Sequence, residues 1–370
     1  MVVDDLVRQA GRPRPVCVVA RDADASLNGV VQELHALGAP VLRFDLASFP
    51  ERVTLAAQLA GGRIVGTLEA DGRRVRLEDI GAVLWWHPST PCIRPGDGLE
   101  ECEAEWLSRE AAAGLAGTLA ALGCLHVNHP DHTYAARNKP YALAQAAAAG
   151  LRVPPVWIGN DVADARRTVD DFGQAVCKSL VSPAIEAADG PRALFTSAVK
   201  PGDLGESVAA AAHQFQRRIN AMYEVRLIMV HGEPFAARLT APAHSTDFRA
   251  HYDELVYDYI DVPDEVRYGA VRLMSSLHLE YAALDLLVDA QAQWWLVDVN
   301  PAGQWGFVEG HLPELAISAQ LAAALADPRI SVRRRAAQPA RTHTHQSEAP
   351  CIRDTTSPTR PRSASAGRDC

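Results

Sequence analysis

Two carboxylates lie in consecutive apolar segments, where a simple hydrophobic strand would not place them. The stretch ALDLLVDAQAQWWLVDVNPAGQWG, residues 283–306, predicts two strands joined by a short polar turn. With a four-residue turn, Asp289 would pair with Trp294. Counting back along the ladder then sets Asp285 directly opposite Asp298, with Cβ atoms about 5 Å apart. Like charges in that position destabilise a hairpin unless a cation lies between them.

Asn300 adds a third oxygen to this face. It follows Asp298 by two residues, so its side chain points to the same side of the strand. Two carboxylates and an amide oxygen form an all-oxygen ligand set, which suits Mg²⁺. We therefore predict a magnesium site made by Asp285, Asp298 and Asn300.

A second hairpin places arginines among apolar residues. The stretch EVRLIMVHGEPFAARL, residues 224–239, contains Arg226 in its first strand and Arg238 in its second. A three-residue loop at His231–Glu233 would set the two arginines opposite each other, and other loop lengths would separate them. Facing guanidinium groups repel unless an anion lies between them, so a polyphosphate bridged to the predicted metal would account for both hairpins. The alternative for either arginine alone is a surface salt bridge.

Lysine is rare in this chain. Of the 36 basic residues only three are lysine, and these are Lys139, Lys178 and Lys200. A compact ammonium group on a flexible stem suits phosphate oxygens, whereas a planar guanidinium group suits bidentate contacts. The retained lysines are therefore candidate phosphate ligands, although chance explains any single one equally well.

The composition is that of a globular protein of two or three domains, with 48% hydrophobic and 22% charged residues. We expect no membrane partner, because no apolar run is long enough to span a bilayer. The N-terminus lacks a signal-peptide pattern, so we expect a cytoplasmic protein. Seven scattered cysteines without a CxxC pair argue against a disulfide framework and against a zinc site.

The net charge of −9 is unevenly placed. Residues 331–370 hold eight arginines and three acids, so the rest of the chain is strongly acidic. An acidic body argues against a nucleic-acid partner, which would require a basic face on the folded domain. The end of the chain is rich in Arg, Ser, Thr and Pro, which predicts a disordered basic tail over residues 329–370.

The remaining residues divide into two α/β domains. Residues 1–130 alternate short apolar segments with helical ones, which predicts a parallel sheet covered by helices. From residue 131 the pattern changes to a helix over Lys139–Ala149, a helix near Gly205–Ala212, and several hairpins. We expect the boundary between these domains near residue 130.

The order of segments resembles the ATP-grasp ligase fold over residues 131–328. The resemblance rests on NKP opening a helix, a strand lysine in VCKSL, the FQRRI segment before the arginine hairpin, and the ending VDVNPAGQWG. This ending and the TDFR segment are most similar to the ribosomal peptide maturases, the graspetide or microviridin-type macrocycle synthetases. Residues 1–130 are similar to the pre-ATP-grasp domain of such enzymes. We therefore expect an α/β protein with an ATP-grasp fold preceded by an α/β pre-ATP-grasp domain.

The resemblance implies roles for ten residues. The nucleotide-binding residues would be Lys139, Lys178, Gln216 at the hinge that receives adenine, and Glu224. The residues acting on the transferred phosphate would be Arg226, Arg238 and, on the acceptor side, Arg249 of TDFR. The Mg²⁺ ligands would be Asp285, Asp298 and Asn300.

The implied reaction is an ATP- and Mg²⁺-dependent, ADP-forming ligation. A side-chain carboxylate of a ribosomally made precursor peptide, consisting of leader and core, would be phosphorylated, and a hydroxyl or amine of the same peptide would then displace phosphate. One alternative is an ATP-grasp amino-acid or dipeptide ligase of the glutamate-adding kind. Another is a catalytically silent nucleotide- or peptide-binding module. The resemblance leaves a homodimer open.

Two positions depart from the family pattern. His87, in LWWHPSTP, stands where such maturases often carry a paired arginine. Asp298 stands where glutamate is commoner, which shortens the ligand but keeps an oxygen donor. The contact that the arginine would make is therefore in question at His87.

Overall fold

The structure is a computed structural model, and it describes all of the chain except a few short gaps and the two ends. The described residues are 13–21, 26–95, 98–181, 184–187, 190–193, 196–240 and 255–327. Arg249 and the predicted tail over 329–370 lie outside these ranges.

The first part of the chain forms two sheets. Its strands are β1 (Val16–Ala20), β2 (Val41–Phe44), β3 (Val53–Ala60), β4 (Arg63–Ala70), β5 (Arg73–Arg76), β6 (Ala82–Trp86) and β7 (Leu125–Val127). Strands β2, β1, β6 and β7 form a parallel sheet in that order. Every residue of β1 and β6 is buried, which explains why both strands are continuous apolar runs.

Helices cover both faces of this parallel sheet, as the sequence predicted. Helix α1 (Ser26–Ala36) packs with Val16 and Val18, whereas helix α2 (Glu101–Ala120) packs with Cys17 and Val19. Because neighbouring residues of a strand point to opposite faces, the two helices lie on opposite sides.

Strands β3, β4 and β5 form a separate antiparallel sheet. The turn at Asp71-Gly72 joins β4 to β5, and both residues have positive φ angles, as a two-residue hairpin turn requires. Strand β3 was not predicted, because its sequence VTLAAQLA is rich in alanine and does not alternate clearly.

The second part of the chain contains a small sheet, a large sheet and a two-stranded hairpin. Its strands are β8 (Val156–Gly159), β9 (Ala175–Lys178), β10 (Ala184–Ala187), β11 (Gly190–Ala193), β12 (Ser197–Val199), β13 (His213–Arg217), β14 (Ala221–Val230), β15 (Glu233–Thr240), β16 (Val256–Tyr259), β17 (Tyr281–Asp289) and β18 (Trp294–Asn300). The small sheet has the order β12-β9-β13-β8. The large sheet has the order β16-β15-β14-β17-β18 and is antiparallel throughout.

Helices cover the two sheets of this second part. They are α3 (Pro130–Arg137), α4 (Lys139–Ala148), α5 (Val162–Phe172), α6 (Asp264–Ser276), α7 (Gly306–His311) and α8 (Ile317–Ala326). Helices α4 and α6 pack on the face of the large sheet that carries Leu284 and Leu286. The opposite face, with Ile228 and Ala283, packs against β1, β6, α1 and α8. The large sheet is therefore the layer on which the two parts of the chain meet.

Helix α4 confirms the helix predicted over Lys139–Ala149. The side chain of Asn138 caps its start by accepting a hydrogen bond from the amide of Tyr141 (3.2 Å), and Gly150, with φ +83°, follows its end. None of the described helices has both the length and the apolar content needed to cross a bilayer.

Two helix predictions differ from the structure. The segment predicted as a helix near Gly205–Ala212 is a short 3₁₀ segment, Glu206–Ala210, which buries only Val208. Helix α5 was not predicted, although Asp161 caps it by accepting a hydrogen bond from the Asp164 amide (2.8 Å). Six of its eleven residues are polar, so its apolar stripe is narrow.

Candidate functional site

The acidic hairpin, formed by β17 and β18, places Asp285 opposite Asp298, as predicted. Asn300 lies opposite Ala283, two positions further along the same face. The pairing next to the turn differs from the prediction, because Val288 and not Asp289 pairs with Trp294. A bulge between Asp285 and Leu286 restores the predicted register.

Asp289 does not pair with Trp294 because its carboxylate closes the turn. It accepts hydrogen bonds from the amides of Gln291 (3.0 Å) and Gln293 (2.9 Å) and from the indole of Trp295 (2.8 Å). The Trp295 hydrogen bond, followed by the turn amides, lowers the pKa of Asp289 below its ordinary value. Asp289 is therefore a structural residue of the turn, which frees Asp285 and Asp298 for the site.

Arg226 supplies one positive charge beside the facing acids. It lies beside Asp285 on the neighbouring strand β14, and its Nη1 donates a 2.7 Å hydrogen bond to Asp285 Oδ1. Burial alone would lower the pKa of Arg226, but the effects of Asp285, Tyr281 and Asp298 together outweigh burial and raise the pKa above its ordinary value. The Nε of Arg226 is buried and has no hydrogen-bond partner among the described residues. Arg226 thus stays charged and retains one unused donor at the site.

The predicted facing pair of Arg226 and Arg238 does not form. The loop between β14 and β15 has two residues, His231 and Gly232, so Arg226 lies opposite Ala237 and Arg238 lies opposite Val225. Both loop residues have positive φ (+50° and +85°), the conformation of a two-residue hairpin turn.

The shorter loop shifts the register by one residue, which sends Arg238 to the opposite face of the sheet from Arg226. The guanidinium group of Arg238 lies over the Tyr223 ring, 4.3 Å from its centroid. Of the two arginines, the structure brings only Arg226 to the acids.

Two of the rare lysines reach backbone carbonyls near the acidic hairpin. Lys139 begins helix α4, and its Nζ donates to the Ser179 carbonyl (2.7 Å). Lys178 ends strand β9, and its Nζ donates to the Val297 carbonyl (3.3 Å), next to Asp298. Lys139 therefore contacts the end of β9, whereas Lys178 joins the small sheet to the large sheet.

The predicted adenine-side residues lie on β13 and β14. Gln216 is 1% exposed, and its Nε2 has no hydrogen-bond partner among the described residues. Glu224 lies opposite Leu239 and Leu287, two residues before Arg226 and on the same face. An unpaired buried amide is costly, so Gln216 fits a site that a ligand completes.

A cavity of about 2220 Å³ brings five of the predicted residues together: Lys139, Arg226, Asp285, Asp298 and Asn300. Of the other predicted residues that the structure describes, Lys178, Gln216, Glu224 and Arg238 lie outside its lining. No group of three or more His, Cys, Asp or Glu side chains suited to a metal occurs among the described residues, so a cation here would depend on the Asn300 amide oxygen. Two carboxylates with one amide oxygen match the hard-oxygen preference of Mg²⁺.

The backbone after Asn300 is held by hydrogen bonds from side chains elsewhere in the chain, which the sequence did not predict. We call residues 301–304 the carbonyl loop, because four successive carbonyl groups each accept a hydrogen bond from a side chain on a different part of the chain. The donors are Asn128 to Pro301 (2.7 Å), His87 Nε2 to Ala302 (2.7 Å), the Tyr281 hydroxyl to Gly303 (2.5 Å) and Arg226 Nη2 to Gln304 (2.9 Å).

Gly303 is tightly packed within this loop. A Cβ atom on Gly303 would lie 2.6 Å from both Arg226 Nη2 and Ala283 Cβ, and 3.1 Å from Asn300 Cγ. Only glycine therefore fits between the arginine and the predicted metal ligand. The sequence signal was the Pro-Ala-Gly run after Asn300, which marks a close turn without showing what packs on it.

Comparison with known proteins confirms the fold class. Residues 16–134 match the family described as the MvdD pre-ATP grasp domain. A sequence search of curated proteins gives no match. The chain has an α/β structure in which a pre-ATP-grasp domain precedes an ATP-grasp fold.

Solved structures of ATP-grasp ligases that act on ribosomally made peptides share the fold of this chain. One is a RiPP-associated ATP-grasp ligase of Chryseobacterium gregarium in complex with ADP and a leader and core peptide (TM-score 0.77, 22% identity, 85% of this chain, 97% of that chain). Another is the macrocyclase MdnC of Microcystis aeruginosa MRC bound with precursor peptide MdnA (0.73, 24%, 84% and 98%). A third is the ATP-grasp ligase PsnB with a phosphomimetic variant of minimal precursor, Mg and ADP (0.66, 23%, 84% and 97%).

Proposed function

We propose that this protein is an ATP- and Mg²⁺-dependent ligase that crosslinks a ribosomally made precursor peptide. The observation that carries the proposal is the group formed by Asp285, Asp298, Asn300, Arg226 and Lys139 around one cavity. Facing carboxylates with an adjacent buried arginine fit a site for a metal-bound polyphosphate. The presence of ADP and Mg in the PsnB complex supports the same ligands here.

Each residue has a role that follows from its position. Asp285, Asp298 and Asn300 would hold Mg²⁺, which would neutralise part of the charge of the phosphate groups. Arg226, with its unused Nε donor, would stabilise the negative charge of the transferred phosphoryl group. Lys139 would exchange its carbonyl partner for a phosphate oxygen.

The proposed chemistry has two steps. A side-chain carboxylate oxygen of the peptide attacks the γ-phosphorus of ATP, which forms an acyl phosphate and releases ADP. A hydroxyl or amine of the same peptide then attacks the acyl carbon, loses its proton and releases phosphate. Each crosslink therefore removes one water from the peptide and consumes one ATP. The protein contributes positioning and fixed charge, and no protein nucleophile is required.

A precursor peptide is preferred over a free amino acid because the similar solved structures contain leader, core or precursor peptides. An amino-acid or dipeptide ligase of the glutamate-adding kind is the second candidate, because it would use the same nucleotide and metal residues. The acceptor side distinguishes the two candidates, and its predicted arginine, Arg249, lies outside the described residues.

Mass spectrometry of a reacted peptide tests the proposal. The candidate substrate is any short peptide, rich in Thr, Ser, Asp and Glu, that is encoded next to the coding sequence of this chain. With ATP and Mg²⁺ we expect a peptide lighter by one water per crosslink, with one ADP and one phosphate formed each time. Free amino acids in the mixture should stay unincorporated. A heavier peptide that depends on an added amino acid would support the second candidate, and AMP as the product would contradict both.

A further inference from the structure

We propose that the pre-ATP-grasp domain sets the position of the metal ligand Asn300, and that His87 and Asn128 are its positioning residues. This inference rests on the proposed function, because it concerns the same metal site. His87 directly follows β6, and Asn128 directly follows β7. They therefore leave the carboxyl ends of two adjacent parallel strands at the same edge of the sheet, where open α/β sheets commonly place functional residues.

Asn128 fixes the peptide group that orients the Asn300 side chain. The carbonyl oxygen of Pro301 accepts a hydrogen bond from Asn128 Nδ2 (2.7 Å). The other end of the same peptide group, the Ala302 amide, donates to Asn300 Oδ1 (3.1 Å). Because a peptide group is planar, holding its oxygen also aims its N–H. Asn300 Oδ1 keeps a second lone pair for a cation.

The side-chain amide of Asn128 is held by hydrogen bonds at both its nitrogen and its oxygen. Its Nδ2 also donates to the Tyr281 carbonyl (2.7 Å), and its Oδ1 accepts from the amides of Glu280 (2.7 Å) and Tyr281 (3.0 Å). The side chain is buried and uses both of its donors and both acceptor positions. It therefore ties the start of β17 to the carbonyl loop as one rigid unit.

His87 holds the next peptide group of the loop. Its Nε2 donates to the Ala302 carbonyl (2.7 Å), and its ring packs edge-on against Trp86 with centroids 5.3 Å apart. Its φ is +45°, so the backbone leaves the extended conformation of β6 at this residue. Although His87 lines the cavity, its contact is with the loop that carries Asn300. This contact gives the residue a positioning role at the place where an arginine was expected.

A matched pair of amide variants tests this role. His87→Gln keeps an Nε2 donor at about the reach of the imidazole, whereas the His87→Asn amide is one methylene shorter and cannot reach the Ala302 carbonyl. Asparagine tolerates positive φ well, so His87→Asn should fold. The measurement is isothermal titration with a non-hydrolysable ATP analogue over a series of Mg²⁺ concentrations, with each variant's melting temperature as the control.

For His87→Asn we expect the Mg²⁺ concentration that gives half of the full effect on nucleotide binding to be about five-fold higher than for wild type. This is the effect of one lost hydrogen bond. Binding without Mg²⁺ should be unchanged, and His87→Gln should stay within two-fold of wild type. If His87→Asn does not fold, His87→Ser gives the same comparison. An unchanged Mg²⁺ requirement in a folded short variant would overturn the inference. Absence of Mg²⁺-dependent nucleotide binding in the wild-type protein would instead overturn the proposed function.

Discussion

The hairpin of β17 and β18 and the hairpin of β14 and β15 differ in how they place side chains of like charge. In the acidic hairpin, a five-residue turn (residues 289–293) and a bulge keep Asp285 opposite Asp298, and Arg226 lies beside them. In the hairpin of β14 and β15, a two-residue turn shifts the register by one residue and separates Arg226 from Arg238. The facing acids have a buried arginine beside them, whereas the two arginines lie on opposite faces of the sheet.

The comparison shows that a single residue in a turn decides which side chains can act together. Side chains of a strand alternate between faces, so a shift of one residue moves a charge to the other side of the sheet. The bulge beside Asp285 offsets such a shift, and the turn at His231-Gly232 introduces one. Which charges share a face of the sheet therefore depends on loop geometry as well as on the position of each residue in the sequence.

The largest effect is expected for Asp285→Ala. This change removes a proposed Mg²⁺ ligand and leaves Arg226 buried without its carboxylate, so turnover of ATP should fall by a factor of about 1000 or more. Unfolding free energy should also fall by about 3–5 kcal/mol, because a buried charge loses its partner. Asp285→Asn is the control, since it keeps an oxygen for Arg226. Normal ADP formation in both variants would refute the role of Asp285.

A smaller contrast is expected between Arg226→Ala and Arg238→Ala. Loss of the Arg226 guanidinium should lower kcat by about 100-fold, because it removes the cation next to the proposed phosphate site. Arg238 lies on the other face over Tyr223, so its removal should change kcat by less than about three-fold. Steady-state assays of ADP release measure both values. Equal losses in the two variants would mean that Arg238 also reaches the phosphate.

The sequence predicted the acids of the site but not everything that holds them. The common face of Asp285, Asp298 and Asn300 could be predicted because alternation along a strand is a local property. The separation of Arg226 from Arg238 could not, because a His-Gly turn and a three-residue loop are both compatible with the same letters. Asn128 and His87 were missed as positioning residues because their partners lie 173 and 215 positions away in the chain. Contacts of that separation depend on how the two domains pack.

The elements of the fold were also predicted well where the sequence pattern is strong and poorly where it is weak. Continuous apolar runs such as β1 and β6 were predicted correctly because burial on both faces leaves a clear pattern. The amphipathic helix α5 was missed because only Ala165 and Val169 of its residues are buried, which leaves little signal. The 3₁₀ segment at Glu206–Ala210 was mistaken for a helix because alanine-rich composition does not by itself provide a buried face.

We expect a row of four histidines to make the stability of the folded protein depend on pH. His126, His129, His132 and His278 form a row with successive ring centroids 5.1–5.2 Å apart. Burial, followed by the charges of His129 and His278, lowers the pKa of His132 below its ordinary value of 6.5, although Asp131 opposes the shift. The unfolded chain therefore binds this proton near pH 6.5, and the folded protein binds it only at lower pH.

Unfolding free energy should thus decrease as the pH falls below about 6.5, and the decrease should stop once the pH is below the folded pKa. His132→Gln removes this titration, so its stability should depend less on pH than that of wild type. Chemical denaturation of both proteins between pH 7.5 and about pH 5 measures the difference. Parallel curves for the two proteins would show that His132 does not contribute.

The most direct test of the account concerns the cation between the facing acids. Isothermal titration of a non-hydrolysable ATP analogue would be carried out with the wild-type protein and with Asp298→Ala, each with and without Mg²⁺. We predict that Mg²⁺ strengthens binding to the wild type by at least ten-fold and has no such effect on Asp298→Ala, while binding without Mg²⁺ is similar in both proteins. The same Mg²⁺ enhancement in Asp298→Ala as in the wild type would contradict the proposed metal site.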